Sequence, residues 1–437
     1  MKTNRLLLLL TVLVAFTMQS CIKDKCQNQY TYLSYEPVYM TYAELRASVA
    51  SEAPRALNNP GKIWFSGNYI FINEKEKGIH VINNSNPSSP INEAFINIPG
   101  NLDVAVRGNI LFADNYVDLV AIDITTPTNV TVAKRIENAL PQRGSGGFTT
   151  DVWGSQQVDP NGVITHYDQK QVTTDYESDC DGGGFGGGMM EDVAFGGDMV
   201  TAPNSFDGAK SLTATPTVGN RGGSMARFAM HQNYLYIVDN STMHLYDIIN
   251  PANITFSTQV QVGWDIETIF IQGNYIFLGG STGMNIYDNN NPANPVHIAT
   301  YSHVSSCDPV VVEGDYAYIT LRSGTPCEGF TNQLDVVDIS EITNPTLKAS
   351  YTMTNPHGLG IESGILFICD GAAGLKVYDA SNPLTIADHQ LQSFPGIHAY
   401  DVIPFQQRLF MIGDNGFYQY DYSNPNNLVL LSTIAVQ

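Results

Sequence analysis

Basic residues are scarce. Lys and Arg number 21 against 42 Asp and Glu in 437 residues, giving a formal net charge of −21. Neutralising phosphates takes clustered Lys and Arg, so no nucleic-acid partner is expected, and docking on anionic lipid headgroups is disfavoured. The apolar run at residues 6–16 is eleven residues long, well short of the roughly 20 that a membrane-spanning helix needs. The six cysteines form no CxxC pair, which removes the usual thiolate zinc and redox motifs. No GxSxG, HExxH, P-loop or spaced His ligand pair occurs, so no standard catalytic signature is present. What remains is apolar and aromatic, 43% hydrophobic and 10% aromatic. That is too much for a disordered polymer. A chain this long exceeds one ordinary core of roughly 100–200 residues, so it needs several domains or one repeat architecture.

The first twenty residues read as an address. Residues 1–5 are basic, residues 6–16 form the apolar core, and Met18-Gln19-Ser20-Cys21 resembles a bacterial lipobox,. This predicts a lipoprotein signal peptide over 1–20, lipidation at Cys21, and a chain anchored to the outer membrane of the cell envelope. Ordinary secretion with Cys21 in a disulfide is the alternative. Ile22-Lys23-Asp24-Lys25 faintly resembles the signals that send some lipoproteins to the outer surface. An exported chain can hold disulfides. Cys307 and Cys327 lie twenty residues apart in one repeat and are the best pair; closing that loop would contribute on the order of 3 kcal/mol. Cys369, in Ile-Leu-Phe-Ile-Cys, reads as a buried strand residue, and Cys26 and Cys180 could pair or stay free.

Past residue 60 one pattern recurs. A Gly-Asn-like turn leads into an apolar strand, a second turn, a strand ending in Asp, and a short turn closed by Pro, as in GNYIFINEKEKGIHVINNSNP. The closing prolines are Pro87, Pro127, Pro251, Pro292, Pro345, Pro383 and Pro425, spaced 40, 124, 41, 53, 38 and 42. A period of roughly 40–45 residues with room for four short strands marks a β-propeller. Alternation at Val104/Val106, Ile269/Ile271 and Val310/Val312 supplies the first strand, and runs such as 254–260 and 428–436 the fourth,. The fold class predicted is all-β, a seven-bladed propeller of four-stranded blades over 60–437, preceded by a short helical or extended segment.

The third-strand strings Leu119-Val120-Ala121-Ile122-Asp123 and Leu334-Asp335-Val336-Val337-Asp338 resemble the LVIVD repeat. That resemblance covers about residues 60–140 and 223–437 in seven copies. It implies an exported β-propeller and no agreed activity, so it carries over no catalytic residue. The strand-ending Asp123, Asp247, Asp288, Asp338, Asp379 and Asp421 read as acceptors for N–H groups of the following turn, with Asn83 in the first copy,. Glu74, Asp114, Asp239, Asp370 and Asp414, which open the turn between second and third strands, read as Asx-type residues in the same sense, Glu74 more loosely.

Departures from the repeat mark a site. Just before the first strand the copies carry Asp103, Arg227, Asp265 with Glu267, Asp308, His357, and His398 with Asp401. Blades stacked in order would bring these ligand-binding candidates around one opening, where carboxylates suit a hard cation, a sugar or a peptide. Neighbouring carboxylates also shift one another's pKa, so acid–base work is the rival use. The bland alternative is a set of solvated or mutually paired loop residues.

Two segments stand outside the array. The insertion at about 141–222 is Gly- and Asp-rich and reads as a long loop or flap, with two degenerate extra blades as the alternative. In it Asp175, Glu177, Asp179 and Asp181 resemble the first half of a Ca²⁺ loop, but Gly188 stands where its glutamate belongs; a loose Ca²⁺ site is the one metal expectation. Residues 21–59 form a tether and docking segment. Tyr30, Tyr32, Tyr35, Tyr39 and Tyr42 crowd it and are expected to pack on the propeller, and Thr41-Tyr42-Ala43-Glu44 has capping-box form,. The expectation for function is a lipid-anchored module that binds a protein or glycan and catalyses nothing. A carbohydrate- or peptide-active enzyme and a structural envelope component are the alternatives.

Overall fold

The computed structural model describes residues 25–141, 159–179, 220–303, 309–323 and 331–437. Cys21, Cys180, Asp181, Cys307, Asp308 and Cys327 lie outside them, and with them the lipidation and disulfide expectations. Seven four-stranded antiparallel blades stand in a ring. Taken from inner to outer strand, blade one is Pro60–Ser66, Tyr69–Glu74, Gly78–Asn83 and Ile91–Asn97, and blade two Val104–Arg107, Ile110–Asn115, Asp118–Asp123 and Thr131–Ile136. Blades three to seven begin on the inner strands Phe228–His231, Ile266–Gln272, Val310–Glu313, Leu359–Glu362 and Ala399–Phe405 and repeat the same order.

Each blade is a meander because its turns allow nothing else. Inner and second strands join through two-residue loops, Ser66 facing Tyr69 and Gln272 facing Tyr275. At Gly67, φ is +59°; a positive φ at the first central residue makes the turn whose twist matches the strands. The third strand then ends on the predicted acceptors. Oδ1 of Asp123, Asp247, Asp288, Asp338, Asp379 and Asp421 takes the N–H two residues on at 2.7–2.9 Å, and Asn83 does the same at 2.9 Å. Hydroxyl and backbone N–H bonds from Thr125, Ser340, Ser381 and Ser423 hold Asp123, Asp338, Asp379 and Asp421 below the usual carboxylate range.

Apolar alternation builds the core between blades. One aromatic per blade sits at the same place in the second strand: Phe71, Phe112, Tyr236, Phe277, Tyr318, Phe367 and Phe410, all buried. Burying one such ring stabilises by roughly 2–3 kcal/mol. Cys369 is buried and free as expected, and burial pushes its thiol up.

The first blade departs from four strands. Ala50–Glu52 pairs along its outermost strand, and Asn220–Gly222, the end of the insertion, pairs along its innermost one. The helix Tyr42–Ala47 carries the expected capping box, Thr41 and Glu44 exchanging hydrogen bonds. Its Leu45 is buried with Val117 and Val163, while Arg46 meets Asp118 at 3.1 Å. A second unit, residues 1–38 with 166–206, holds most of a paired ribbon, Lys25–Met40 with Val163–Asp179. Within that ribbon Tyr30 and Tyr32 stack on each other with ring centroids 5.7 Å apart.

Candidate functional site

Antiparallel order puts the start of every inner strand and every second-to-third turn at one end of the ring. All seven blades bring a charged or ring side chain there. The sequence candidates supply Asp103, Arg227, Glu267, His357 and His398; Lys62 of blade one, Arg322 of blade five and Tyr400 of blade seven complete the circle.

The mouth is organised by hydrogen bonds across blades. Asp103, 2% exposed, receives Lys62 Nζ at 2.8 Å and the N–H of Arg227, tying blades one, two and three together. Glu267 is pushed up by burial, while the Arg227, Arg322 and Lys62 charges pull the other way. Arg322 in turn is pulled down by burial and held up by Glu267. His357 is held down to about 4, by burial first and then by the Arg322 and His398 charges, so its ring is neutral near pH 7. His357, His398 and Tyr400 form a ring triad with centroids 5.1–6.1 Å apart. Asp414 accepts from both Tyr400 Oη and His398 Nδ1, and these bonds overcome burial and hold it below its ordinary range. Lys75 Nζ stands 5.7 Å from the Tyr400 ring centre.

Two candidates stand apart from this circle. Asp265 turns to Ser281, whose hydroxyl reaches it at 3.2 Å. Asp401 lies deeper and fully buried, and burial lifts it to about 6. Its Oδ1 accepts Ser224 Oγ at 3.1 Å and the Val402 N–H at 2.9 Å, whereas Oδ2 has no hydrogen-bond partner. Ser224 also accepts the Leu359 N–H at 2.9 Å. The segment that returns from the insertion therefore touches blades one, six and seven at the axis. Only glycine fits at 223, because a Cβ there would fall 1.8 Å from Asp401 Oδ2. Below the mouth the channel is apolar and tight. The space that remains is too small for a ligand and is lined by Gly222 and Ser224 with Phe270, Val311, Ile361 and Ile403.

The turn carboxylates do more than the sequence reading gave them. Only Asp239 makes an Asx turn, taking the Ser241 and Thr242 N–H groups at 2.8 and 2.7 Å. Asp114 instead crosses to the loop entering its own blade, accepting the N–H groups of Leu102 and Asp103 at 3.0 and 2.9 Å. Asp370 does so with Thr354 and Asn355, and Glu74 with Asn58 and Asn59. The entry loops are long enough to leave their amides unpaired, so the nearest carboxylate on the same rim takes them.

Of the metal expectation, Asp175, Glu177 and Asp179 fall in the extended strand Val163–Asp179. Among the described residues no three His, Cys, Asp or Glu groups stand together in a way that could hold an ion. Sequence reasoning missed Lys62, Lys75, Arg322 and Tyr400. Lys62 precedes the apolar run of the first copy and was open to the same search that found Asp103. Lys75 and Arg322 sit in turns whose approach to the axis shows only once the ring is built.

The LVIVD repeat matches residues 60–95, 101–137, 222–262 and 306–353, which are blades one, two, three and five. Blades four, six and seven have the same strand order outside those matches. No curated protein matches the sequence. Among solved structures, the periplasmic gluconolactonase PpgL of Pseudomonas aeruginosa is similar at a TM-score of 0.52 and 8% identity, over 86% of this chain and 96% of that one. The computationally designed Ika8 protein gives 0.47 at 10% identity, over 87% and 88%. Saccharomyces cerevisiae Sqt1 gives 0.45 at 7%, over 92% and 88%. At such identities the likeness is one of fold alone.

Proposed function

We propose that this chain, a seven-bladed β-propeller carrying LVIVD repeats, is a non-catalytic binding module. Its ligand, a glycan or a protein segment, sits on the polar mouth. The observation that carries the reading is the mouth itself: seven blades deliver charged and ring side chains to one opening, above an apolar channel that the chain's own residues 222–224 narrow. A ligand is met at the rim, and Asp401, which burial lifts to about 6, lies below it out of reach.

The leader pattern supports export and lipidation at Cys21, with the propeller held at the outer membrane of the envelope. Palmitate labelling of cells expressing the full chain tests this: label is expected in the parent and absent in Cys21→Ala. Labelling of both chains, or of neither, sinks the anchor.

For the mouth, glycan and peptide arrays probed with the full chain should give hits that vanish in the double variant Glu267→Lys, Arg322→Glu. Hits that persist unchanged in that variant would place binding elsewhere. An enzyme is the second reading, because Glu267 is pushed up and His357 down beside each other's partners, an acid–base pairing in form. Mass analysis of array hits after prolonged incubation separates the two; new products that the double variant fails to make would favour the enzyme.

A further inference from the structure

The blade interfaces share one plan, and the one between blades one and two is underfilled. Blades three and four meet over Tyr236 and Leu245, cross-strand partners in blade three, and over Ile271 of the blade four inner strand. Tyr236 Oη closes that interface, reaching Asn289 Oδ1 at 3.1 Å and the Pro292 carbonyl at 2.9 Å. The same three places between blades one and two hold Phe71, Val81 and Val106. They bring one hydroxyl and two methylenes fewer. A pocket of about 90 Å³ is left there, at the end of the ring away from the mouth. Its floor is Phe71, Val81, Val106 and Ile124, all buried. Ser66, Asn109 and Thr125 form its rim, and among the described residues no charged one lines it. The Pro127 carbonyl, which matches Pro292, already accepts Ser51 Oγ at 2.9 Å. The chain thus supplies the missing hydrogen bond but not the missing bulk.

We propose that this pocket binds a small uncharged hydroxylated molecule, a phenol in the simplest case, with its apolar body on Phe71, Val81 and Val106 and its hydroxyl at Ser66 and Asn109. The site stands apart from the mouth and does not rest on the reading given to it. A buried apolar cavity of about 150 Å³ takes benzene, so a single ring is the right scale for a smaller pocket that opens to solvent. Water on the apolar floor lacks the two to four polar partners that hold it, and an apolar group gains by displacing it. A lining without charge disfavours carboxylates, phosphates and amines, which would lose hydration and meet no counter-charge. The hydroxyl and amide groups of the rim both donate and accept, which suits a hydroxyl and orients it outward. Tyr69 and Phe71, with centroids 6.4 Å apart, both line the pocket, and ring–ring contacts favour an aromatic body over an alkyl one.

Saturation-transfer NMR and isothermal titration of the full chain with phenol, and with benzene as the twin lacking the hydroxyl, test the assignment. Phenol should bind more tightly than benzene. Ser66→Ala with Asn109→Ala should weaken phenol by about tenfold and leave benzene unmoved. Copying the sister interface with Phe71→Tyr, Val81→Leu and Val106→Ile should abolish binding of both, at a thermal midpoint raised or unchanged because the space is filled from within. Should that triple variant not fold, Val106→Ile alone should weaken both ligands severalfold. The mouth variant Glu267→Lys, Arg322→Glu should bind phenol as the parent does, which keeps failure here distinct from failure of the mouth. Phenol binding that survives the filled interface would place the site elsewhere and overturn the proposal. So would no binding at millimolar phenol, the pocket then holding water only. Benzene held as tightly as phenol would overturn the hydroxyl contact, and benzoate held more tightly would overturn the uncharged class. Self-association of the chain that phenol reverses would make a side chain of a second copy the occupant, and that too would overturn it.

Discussion

Two kinds of carboxylate act on stability with opposite sign. Asp123, Asp338, Asp379 and Asp421 are held below their ordinary range by turn hydrogen bonds. Their contribution is present above the unfolded carboxylate value and is lost as pH falls through the folded one. Asp401 is lifted to about 6 by burial, so its favourable state is the protonated one. That advantage is whole below the unfolded value near 4 and is lost as pH rises through 6. Asp401→Asn keeps the shape and removes the ionisation. It should stabilise the propeller at pH 8, by on the order of 3 kcal/mol at most, and change little near pH 4. Urea unfolding at the two pH values checks this; a variant less stable at pH 8 would mean that the charged form is the one this site accommodates. The first kind was legible in the sequence because donor and acceptor are two residues apart. Asp401 was chosen as a mouth ligand from its place before a strand, and its burial depends on Gly223 and Ser224, about 177 positions away in the chain. No local pattern carries that.

At the scale of elements, the rim carboxylates tie entry loops to hairpins. Asp114, buried, receives the amides of Leu102 and Asp103 and the side chain of Asn101 at 2.8 Å. Asp103 then presents its own carboxylate to Lys62 and to the N–H of Arg227. One residue thus sets both a blade entry and a join between three blades. Asp114→Ala leaves the Leu102 and Asp103 N–H groups without their acceptor, while Asn101 keeps the carbonyl oxygens of Asp103 and Asp114, and should lower stability by about 2–4 kcal/mol,. The same change should weaken mouth binding, since the loop that holds Asp103 is released. Denaturant midpoints read the first effect, and titration of the folded variant the second; a loss under about 0.5 kcal/mol would show that water replaces the carboxylate at no penalty. Hairpins and strands were legible here from two-residue turns and alternation. The extra strands Ala50–Glu52 and Asn220–Gly222 were not, because three residues show no period and their partners lie 43 to 158 residues away.

The whole molecule poses a closure problem. Every blade is a continuous stretch of chain, so no shared strand staples the last blade to the first. Closure draws on a parallel bridge between Leu57 and Val436, the Gln437 N–H to Leu57 O at 2.9 Å, the buried Gln419 Nε2 to Asn84 Oδ1 bond at 2.7 Å, and apolar packing between blades seven and one. Phe65 and Phe410 carry that packing, stacked with centroids 4.8 Å apart, and Phe405 adds a tilted contact to Phe65 at 5.2 Å. The count of seven blades was plain in the spacing of the prolines, since each copy is local; the means of closing the ring was not, because it joins the two ends of the array. Phe410 is also the repeat aromatic of its blade, matching Phe277 of blade four, so two substitutions alike in burial differ only in which interface they empty. Phe410→Ala and Phe277→Ala should each cost about 3–5 kcal/mol. Only Phe410→Ala should open the ring locally, and amide exchange should then quicken in the inner and second strands of blades one and seven well before the rest. In Phe277→Ala the neighbours on both sides are held by intact interfaces, so exchange should rise there only with global unfolding. Identical exchange patterns in the two variants would mean that the blade seven–one interface is no weaker than the others.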